Sequence, residues 1–421
     1  MEKLAIWGGS KTIETEEARF IWPHITPEVE KAVLKQLRSE ISIYTKSGIF
    51  AEFERRFAEY HGVEHSLLSN SGTSAIFSMF EGIGLQPGDE VICPSYTFFA
   101  TASPLIYLGA IPIFCDCTDD GNIDPNEIYQ RITSKTVAVI VTHMWGIPCE
   151  MDEIVNICQK YKLSLLEDCS HAHGALYKGK KVGSFGDAAA WSIQGQKLIS
   201  GGEGGIMLTD NNEIFYRALL QGHYNKRCKQ QIPMNYPLYK FALTGFGLKF
   251  RAHPLAIALA NEQLNHLDEW IEQKEKYVAF WKNQFNSYKF LRMPSYPNRQ
   301  PSWYAFVMRF NEHCSNGVKI EQFIKALHAE GLIEVDHPGS TKPIHEEPLF
   351  CEPNVVMQRL YQKPIKQNNS FKKATSFYAN AIKLPVWAYA DDYYVVEKYA
   401  EGFHKVCQIV QENPELLTSI I

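Results

Sequence analysis

Residues 137–168 read VAVIVTHMWGIPCEMDEIVNICQKYKLSLLED, in which two apolar runs flank an amphipathic segment. The runs VAVIVTH and LSLLED are short and rich in Val, Ile and Leu, as buried strands are, whereas MDEIVNICQKY has apolar residues at helical spacing. A strand, a helix and a second strand in this order are typical of parallel sheets, whose strands are buried on both faces. The stretch therefore predicts an α/β fold.

The same alternation extends along the chain from about residue 64 to 210. Further strands are predicted at HSLLSN (65–70), EVICP (90–94) and IPIFCD (111–116), and further helices at 73–84, 98–109 and 124–132. We therefore expect a mixed, mostly parallel sheet covered by helices. Such sheets bind ligands beyond the carboxyl ends of their strands, so a functional site is expected in the loops that follow the strands.

A second, smaller unit is expected towards the C-terminus. We predict one long helix at 254–285, strands at WYAFVMRF (303–310) and AIKLPV (381–386), and helices at 320–331 and about 391–410. These elements predict a small α+β domain at 276–421, after a large domain at 1–275 that includes an N-terminal arm.

The composition of the chain limits its location and partners. It has 421 residues, a formal net charge of −5 and no block of Lys or Arg, which argues against a nucleic-acid partner. No apolar run is long enough to span a membrane or to form the core of a signal peptide. Of the ten cysteines, Cys115 and Cys117 form the only close pair, and no second pair or histidine cluster completes a zinc pattern. We therefore expect a cytoplasmic protein with reduced thiols and no metal site.

Two strand ends in the first half of the chain have residues suited to a ligand. NSGTSA (70–75) follows a strand and opens a helix, where free amides and hydroxyls suit a phosphate, although small residues at this place are also common as a helix N-cap. PSYTFFA (94–100) places aromatic residues after a strand. These favour core packing when taken alone, and a ring-stacking surface is the alternative.

Two later strand ends contain charged residues. In LSLLEDCSHAHGA (163–175), Asp168 follows an apolar strand, and it is either a solvated acid, a helix cap or a buried carboxylate paired with a cation. In WSIQGQKLISGGEGG (191–205), Lys197 is either solvated on a turn or faces inward to form a covalent bond.

Taken together, the four strand ends contain what pyridoxal phosphate requires. The phosphate needs helix-start amides and hydroxyls, which Thr73, Ser74 and Ser192 supply. The ring needs an aromatic face, and its nitrogen needs a carboxylate; the candidates are Phe98 and Asp168. The aldehyde needs an amine for a Schiff base, for which Lys197 is the candidate. The glycines that follow this lysine would let the loop pass close to cofactor and substrate; they are Gly201, Gly202, Gly204 and Gly205.

These motifs resemble the DegT/StrS-type aminotransferases of sugars and cyclitols, which belong to fold type I of the pyridoxal-phosphate enzymes. The resemblance covers nearly the whole chain, through LAIWGGSK, FIWP, FAEFERRFAEYHG, SNSGTSA, GDEVICPSYTFFATASPLIYLGAIPIFCD, EDCSHAHGALYKGKKVGSFGD and WSIQGQKLISGGEGGIMLTD. It is specific because the serine five residues before Lys197 and the D-x-x-H segment occur together.

The resemblance implies a role for each candidate residue. Lys197 would form the internal aldimine and shuttle the proton, and Asp168 would pair with the pyridine nitrogen. His171 would bond the phenolic oxygen or stack near the ring. The phosphate would be held by Thr73, Ser74 and Ser192, and Phe98 would stack on the ring.

Two segments differ from the pattern of the family. Where the family has N-Y-R, with an asparagine that reaches the phosphate in the neighbouring subunit, this chain has Lys249-Phe250-Arg251. A lysine can take over this role as a point charge. HPGSTKPIHEEPLF (337–350) is longer and more charged than expected. Arg251 and His345, one from each segment, are the substrate-binding candidates.

The expected function is transfer of an amino group from glutamate or glutamine to a ketosugar or keto-cyclitol in biosynthesis, by a homodimer with shared active sites. The alternatives are a dehydratase or lyase with the same cofactor and a non-catalytic regulatory protein. Family members that act as sugar dehydratases have histidine in place of the lysine, so Lys197 favours transamination.

Overall fold

The computed structural model describes residues 3–366 and 370–420, which contain fifteen strands. The strands are β1 (His65–Ser69), β2 (Glu90–Pro94), β3 (Tyr96–Thr97), β4 (Ile111–Cys115), β5 (Thr136–Thr142), β6 (Ser164–Asp168), β7 (Leu176–Tyr177), β8 (Lys180–Lys181), β9 (Ala188–Ser192), β10 (Gly205–Thr209), β11 (Leu291–Arg292), β12 (Arg299–Gln300), β13 (Phe306–Phe310), β14 (Lys342–Pro343) and β15 (Ala381–Leu384).

Sixteen α-helices lie in the same described residues. They are α1 (Pro27–Ser39), α2 (Gly48–His61), α3 (Gly72–Gly82), α4 (Ser103–Leu108), α5 (Pro125–Arg131), α6 (Met151–Tyr161), α7 (Asn212–Gly222), α8 (Lys226–Gln231), α9 (Pro254–Gln263), α10 (Leu267–Phe285), α11 (Ile320–Ala329), α12 (Pro348–Cys351), α13 (Pro353–Val356), α14 (Lys372–Asn380), α15 (Tyr393–Glu412) and α16 (Pro414–Thr418). None of the described helices is long and apolar enough to cross a membrane.

A seven-stranded sheet forms the centre of the larger part of the chain, in the order β1-β10-β9-β6-β5-β2-β4. All neighbouring pairs from β9 to β4 are parallel, and β10 is antiparallel to both β1 and β9. The predicted α/β class with a mixed, mostly parallel sheet is therefore confirmed. The strands predicted from HSLLSN to LSLLED all form part of this sheet.

The sheet is buried on both faces because successive side chains of a strand point to opposite sides. In β5, Ile140 packs in the core cluster that α3, α4 and α7 cover, while its neighbours Val139 and Val141 pack with α6 on the other side. This is why the strand has an almost uninterrupted apolar sequence.

A second core is built on the three-stranded antiparallel sheet β11-β13-β15, packed against α10, α11 and α15. The N-terminal residues Leu4, Ile13 and Ala18 also pack in this core. The predicted division at 275/276 falls inside α10, where Leu267 packs near the large sheet and Trp281 packs in the second core. The division into domains at this position stays a prediction.

Two elements of the second unit differ from the prediction. The single helix expected at 254–285 is interrupted at Leu264–His266, where the amides of Asn265 and His266 donate to carbonyls only three residues back. The strand expected at 303–310 begins at Phe306, because Trp303 has a left-handed backbone with φ 53°.

Short strand pairs connect the two units around the edge of the large sheet. Lys342 and Pro343 in β14 pair with β3, and Arg299 and Gln300 in β12 pair with β7. These pairs hold segments of the smaller unit beside the carboxyl ends of the parallel strands.

Candidate active site

A cavity of about 460 Å³ lies at the carboxyl ends of the large sheet's strands. This volume is in the usual range for a small-molecule site. Six of the residues predicted from the sequence line it together: Thr73, Phe98, Asp168, His171, Ser192 and Lys197. The sequence therefore identified one place in the fold from four separate segments. We call this space the Lys197 cavity.

One end of the Lys197 cavity is formed by the first residues of α3 and the last residue of β9. Ser71 caps α3, accepting from the Ser74 amide at 3.0 Å, and Thr73 is exposed in the first turn. A Cβ on Gly72 would lie 2.6 Å from the Cβ of Ser192, so only glycine lets the helix start approach β9 this closely. Hydroxyls and free helix-start amides converge here, and we call this the anion cradle (Ser71, Gly72, Thr73 and Ser192).

Asp168 is buried at the end of β6, and both of its carboxylate oxygens are hydrogen-bonded. The Thr101 hydroxyl donates to Oδ2 at 2.7 Å, and the Ser170 amide donates to Oδ1 at 3.1 Å. Thr101 in turn belongs to a buried cluster of hydroxyls with Thr97 and Thr142. A carboxylate has about four lone-pair sites, so Asp168 can still accept a further bond from the cavity.

The adjacent Glu167 points to the opposite side of the sheet and has a different environment. Its oxygens accept the backbone amides of Gly183, Phe185 and Gly186, and Oε2 lies 3.1 Å from Nε2 of His143. Burial alone would raise the pKa of Glu167, but these hydrogen bonds and the proximity of His143 outweigh it and lower the pKa. Its hydrogen-bond capacity is therefore taken up within the fold.

Glu167, His143 and Cys169 have ligand atoms within 4.8 Å of one another, a spacing that a metal site could have. The amide of Cys149 donates to Nδ1 of His143, which directs the other nitrogen of a neutral ring to donate to Glu167. Since the histidine and the carboxylate already have partners, we interpret the group as a structural hydrogen-bond network.

Lys197 lies in the loop after β9 with its amine in the cavity. Its Nζ has no hydrogen-bond partner among the described residues, and it lies 4.5 Å from the centre of the Tyr304 ring. Burial lowers the pKa of Lys197 to about 8, an effect that the negative charge of Asp168 partly opposes. The amine therefore has a larger neutral fraction near neutral pH than an ordinary lysine, and the neutral form is the one that can attack a carbonyl.

The backbone of Lys197 is held by the N-terminal arm. The indole nitrogen of Trp22 donates to the Lys197 carbonyl at 2.7 Å. The Trp22 ring packs edge-on against Trp270, with ring centres 4.8 Å apart. The FIWP segment at residues 20–23 therefore contacts the loop that contains Lys197.

A stack of rings forms one wall of the cavity, and two of its members were missed by the sequence reasoning. His171 stacks on Tyr304 with centres 4.1 Å apart, and Trp145 lies 5.6 Å from His171. Burial, followed by the positive charge of Lys197, holds the pKa of His171 well below its ordinary value, so the ring is neutral. No sequence motif around Trp145 or Tyr304 indicates a ligand site, because Trp145 is in a turn after β5 and Tyr304 comes from the smaller unit.

Four predicted residues lie outside the lining of this cavity. The Ser74 hydroxyl is engaged with Asn70 and Ser71 in the helix cap. Lys249 is exposed, and the Arg251 guanidinium lies over the rings of Tyr44 and Tyr224. His345 lines a separate cavity and packs against Phe371, with ring centres 4.3 Å apart. The roles of Ser74, Lys249, Arg251 and His345 stay predictions.

The smaller unit contributes lining residues that the sequence reasoning did not select. These are Asp336, Pro338, Gly339, Ser340, Thr341 and Lys383. Glu203, from the glycine-rich loop, also lines the cavity. The charged and elongated segment at 337–350 was the only indication that this region is near a substrate.

Two of the glycines after Lys197, Gly201 and Gly205, lie directly against the protein's own backbone. A Cβ on Gly205 would lie 2.3 Å from the Ser71 carbonyl oxygen, and one on Gly201 would lie 2.7 Å from the Ala256 carbonyl oxygen. Close approach to the protein's own backbone, at α3 and α9, explains these two positions.

The residues of the Lys197 cavity fit pyridoxal phosphate. The anion cradle, opened by the missing Cβ of Gly72, suits the phosphate, and Asp168 suits a protonated ring nitrogen. Phe98 offers an aromatic face, and Lys197 offers an amine without a hydrogen-bond partner in the described chain. A parallel α/β sheet with this set of groups at its strand ends defines a pyridoxal-phosphate enzyme of fold type I.

Comparisons with known proteins give the same class. The model of the DegT/DnrJ/EryC1/StrS aminotransferase family matches residues 23–397, so the chain belongs to this family. It is 30% identical over 364 residues to the putative L-glutamine:3-amino-2,3-dideoxy-scyllo-inosose aminotransferase of Micromonospora echinospora, covering 83% of this chain and 82% of that protein.

Two further similarities support the assignment. The spore coat polysaccharide biosynthesis protein SpsC of Bacillus subtilis is 30% identical over 376 residues, which cover 88% of this chain and 93% of SpsC. The solved structure of an aminotransferase from Psychrobacter cryohalolentis superposes with a TM-score of 0.81 over 93% of this chain and all of that chain, at 24% identity, a likeness that concerns the fold. The protein is an aminotransferase, and its cofactor is pyridoxal phosphate.

Proposed function

We propose that the enzyme moves the amino group of L-glutamine or L-glutamate to the keto carbon of a ketosugar, free or nucleotide-linked, or of a keto-cyclitol. The observation that carries the proposal is the Lys197 amine, with a pKa of about 8, in the same cavity as the buried carboxylate of Asp168. The similarity to the putative L-glutamine:3-amino-2,3-dideoxy-scyllo-inosose aminotransferase of Micromonospora supports both the donor and the acceptor class.

The polar lining of the cavity supports an acceptor with many hydroxyl groups. Gln194 and Gln196 lie on the side of Lys197, and Ser340 and Thr341 lie on the side of the smaller unit. Amides and hydroxyls both donate and accept hydrogen bonds, which suits the alternating demands of sugar and cyclitol hydroxyls.

Different residues of the cavity would hold the phosphate, the ring and the ring nitrogen of the cofactor. When bound, pyridoxal phosphate supplies an electron sink that makes the Cα proton of the donor acidic. The anion cradle would hold its phosphate, and Phe98 would offer an aromatic face to its ring. Asp168, held by Thr101 and by the Ser170 amide, accepts a hydrogen bond from the protonated ring nitrogen.

Lys197 has two tasks in this proposal. Its Nζ would hold the cofactor covalently, and the free amine would take the proton from the donor's Cα. A base with a pKa near the operating pH is efficient in such a transfer. For the acceptor the same amine moves the proton in the opposite direction.

Two further properties belong to the proposal. We infer a homodimer in which the 249–251 segment of one subunit reaches the active site of the other, which agrees with the exposure of Lys249 in the single chain. We also infer a cytoplasmic location, which agrees with the absence of disulfides among the ten cysteines.

The experiment treats purified holoenzyme with L-glutamine or L-glutamate and measures the 2-keto acid released and the change in cofactor absorbance. A panel of inososes, free ketosugars and nucleotide-linked ketosugars is then tested for return of the original absorbance. We expect one keto acid per active site without acceptor and continuous turnover with the right acceptor. Loss of water from a ketosugar without keto acid release would instead assign a dehydratase, and no reaction with any donor would assign a non-catalytic protein.

A further inference from the structure

Lys383 and Asp336 form an ion pair in the wall of the Lys197 cavity that the proposed mechanism does not use. Lys383 is in β15, and Asp336 is in the segment that follows α11. Their backbones exchange two hydrogen bonds, of 2.9 and 2.7 Å, and Nζ of Lys383 lies 3.1 Å from Oδ2 of Asp336. The pair is therefore placed by the sheet of the smaller unit.

The lining of the cavity has few cations. In the described chain, the lysines of the lining are Lys197 and Lys383, the acids are Asp168, Glu203 and Asp336, and there is no arginine. Lys197 is occupied by the chemistry of the reaction. An amino acid donor always brings an α-carboxylate next to the reacting carbon, and this anion requires a partner when it leaves water.

Lys383 has the capacity to be that partner. An ammonium has three N–H donors, and Asp336 uses one of them. The Asp336 side chain is 55% exposed, and that of Lys383 is 28% exposed. An exposed pair of this kind is held weakly, so an incoming carboxylate can share the ammonium at little cost.

The position of Lys383 also agrees with a group close to the reacting atoms. Its positive charge contributes to lowering the pKa of His171, after burial and the charges of Lys197 and His173. His171 stacks on Tyr304, the same ring that lies under the Lys197 amine. Lys383 and Lys197 thus both line the same cavity and both act on His171.

We propose, on the basis of the proposed function, that Lys383 binds the α-carboxylate of the amino donor and that Asp336 holds the Lys383 side chain in position for it. One ammonium next to a carboxylate suits a single negative charge better than the two charges of a diphosphate.

The test compares Lys383→Met with Lys383→Arg. Lys398→Met is the matched control, because Lys398 has a similar side-chain exposure of 26%, also pairs with an acid, Glu401, and lies outside the lining of the cavity. The donor half-reaction is measured with L-glutamine and with 4-aminobutanamide, which is the same amine without the α-carboxylate. We expect Lys383→Met to lower kcat/KM for L-glutamine by ~10- to ~100-fold through KM, and to change that for 4-aminobutanamide by less than about threefold. Lys383→Arg retains most of the activity with L-glutamine, and Lys398→Met changes the KM for L-glutamine by less than about threefold.

Binding to the cofactor-free protein provides a second readout. Calorimetry with 4-carbamoylbutanoate, the carboxylate of glutamine without its amino group, should show about a tenfold weaker affinity in Lys383→Met than in the parent. Thermal denaturation of each variant checks that the fold is retained.

The outcomes separate this inference from the proposed function. If the parent enzyme reacts with L-glutamine and Lys383→Met has an unchanged KM for it, the inference is wrong and the proposed function stands. A rise in KM for the acceptor alone also overturns the inference. If the parent releases no keto acid with any amino donor, the proposed function is wrong.

Discussion

Two lysines of this chain have pKa values lowered by burial, and they lie in regions with opposite surroundings. Lys274 is only 2% exposed, in α10, where its Nζ donates to the Val386 carbonyl. The Trp22 and Phe20 rings lie 5.4 and 5.8 Å from the amine, and burial lowers the pKa to about 7. Lys197 has a pKa of about 8, no hydrogen-bond partner in the described chain, and a cavity in front of it.

The difference shows that a lowered pKa alone does not identify a reactive lysine. Both amines are partly neutral near pH 7, but the one in α10 is enclosed by its partners, whereas the one after β9 has free hydrogen-bonding capacity and access. Trp22 touches both regions, since its ring lies over the Lys274 amine and its indole N–H holds the Lys197 carbonyl. The two carboxylates at the end of β6 differ in the same way, because Glu167 is enclosed by its hydrogen-bond partners and Asp168 lines the cavity.

The largest effect is expected from removing the accessible amine. Lys197→Ala should lower the rate of the L-glutamine half-reaction by roughly 10⁴-fold, because it removes the amine to which the proposal assigns the transfer of the Cα proton. Keto acid release in a stopped assay measures it. Lys274→Met is the matched control and should keep its rate within about threefold of the parent. Near-parental turnover in Lys197→Ala would refute the catalytic role of Lys197 and the distinction drawn between Lys197 and Lys274.

The second largest effect on the rate is expected at Asp168, whose carboxylate lines the cavity. Asp168→Asn keeps the shape but loses the charge that maintains the proton on the ring nitrogen, so the half-reaction should slow by about 10³-fold. Cofactor absorbance against time gives the rate. Thermal unfolding should remain within a few degrees of the parent. A variant with unchanged rates would remove Asp168 from the mechanism.

Replacing the enclosed carboxylate should instead affect folding. Glu167→Gln puts an NH₂ group against backbone amides that donate to the carboxylate, so we expect a loss of about 3 kcal/mol in the free energy of unfolding. Urea denaturation measures it. The rate per folded molecule should stay close to that of the parent. A stable but inactive Glu167→Gln would contradict the assignment of Glu167 to structure.

A smaller effect tests the contact of the arm with the loop of the lysine. Trp22→Phe keeps most of the ring but removes the hydrogen bond to the Lys197 carbonyl, which is worth about 1 kcal/mol. The half-reaction should slow by about fivefold. Trp270→Phe, which changes the ring packed against Trp22, serves as the control. Equal rates in Trp22→Phe and the parent would show that the arm does not position the lysine.

The smallest effect concerns the pH dependence of stability. The pKa of Lys274 is lowered to about 7 in the folded state, so between about pH 7 and 10.5 the unfolded chain binds a proton there that the folded chain does not. This contribution to stability therefore rises with pH, by about 1 kcal/mol between pH 7 and 8. In Lys274→Met the free energy of unfolding should no longer gain this increment of about 1 kcal/mol between pH 7 and 8, and only the contribution of Lys197 to the pH dependence should remain. Urea denaturation at both pH values measures it, and parallel changes in both proteins would contradict it.

The sequence by itself determined the sheet, the strand ends and six residues of the cavity, including Lys197 and Asp168. It could do so because apolar periodicity is local and because the carboxyl ends of parallel strands meet at one edge. The same local reasoning selected Ser74 and not Ser71, whereas the structure places Ser71 in the lining of the cavity and Ser74 outside it, in the helix cap with Asn70 and Ser71.

Only the tertiary structure decided which distant residues complete the site. Trp22, Tyr304 and Lys383 reach the region of Lys197 from the arm and from the smaller unit, more than a hundred residues away in the chain. No periodic pattern marks them, because their positions depend on how the second core packs against the large sheet. The contacts of Lys197 and Lys274 could not be predicted from the sequence for the same reason. Each side chain's surroundings come from segments that meet only when the chain is folded.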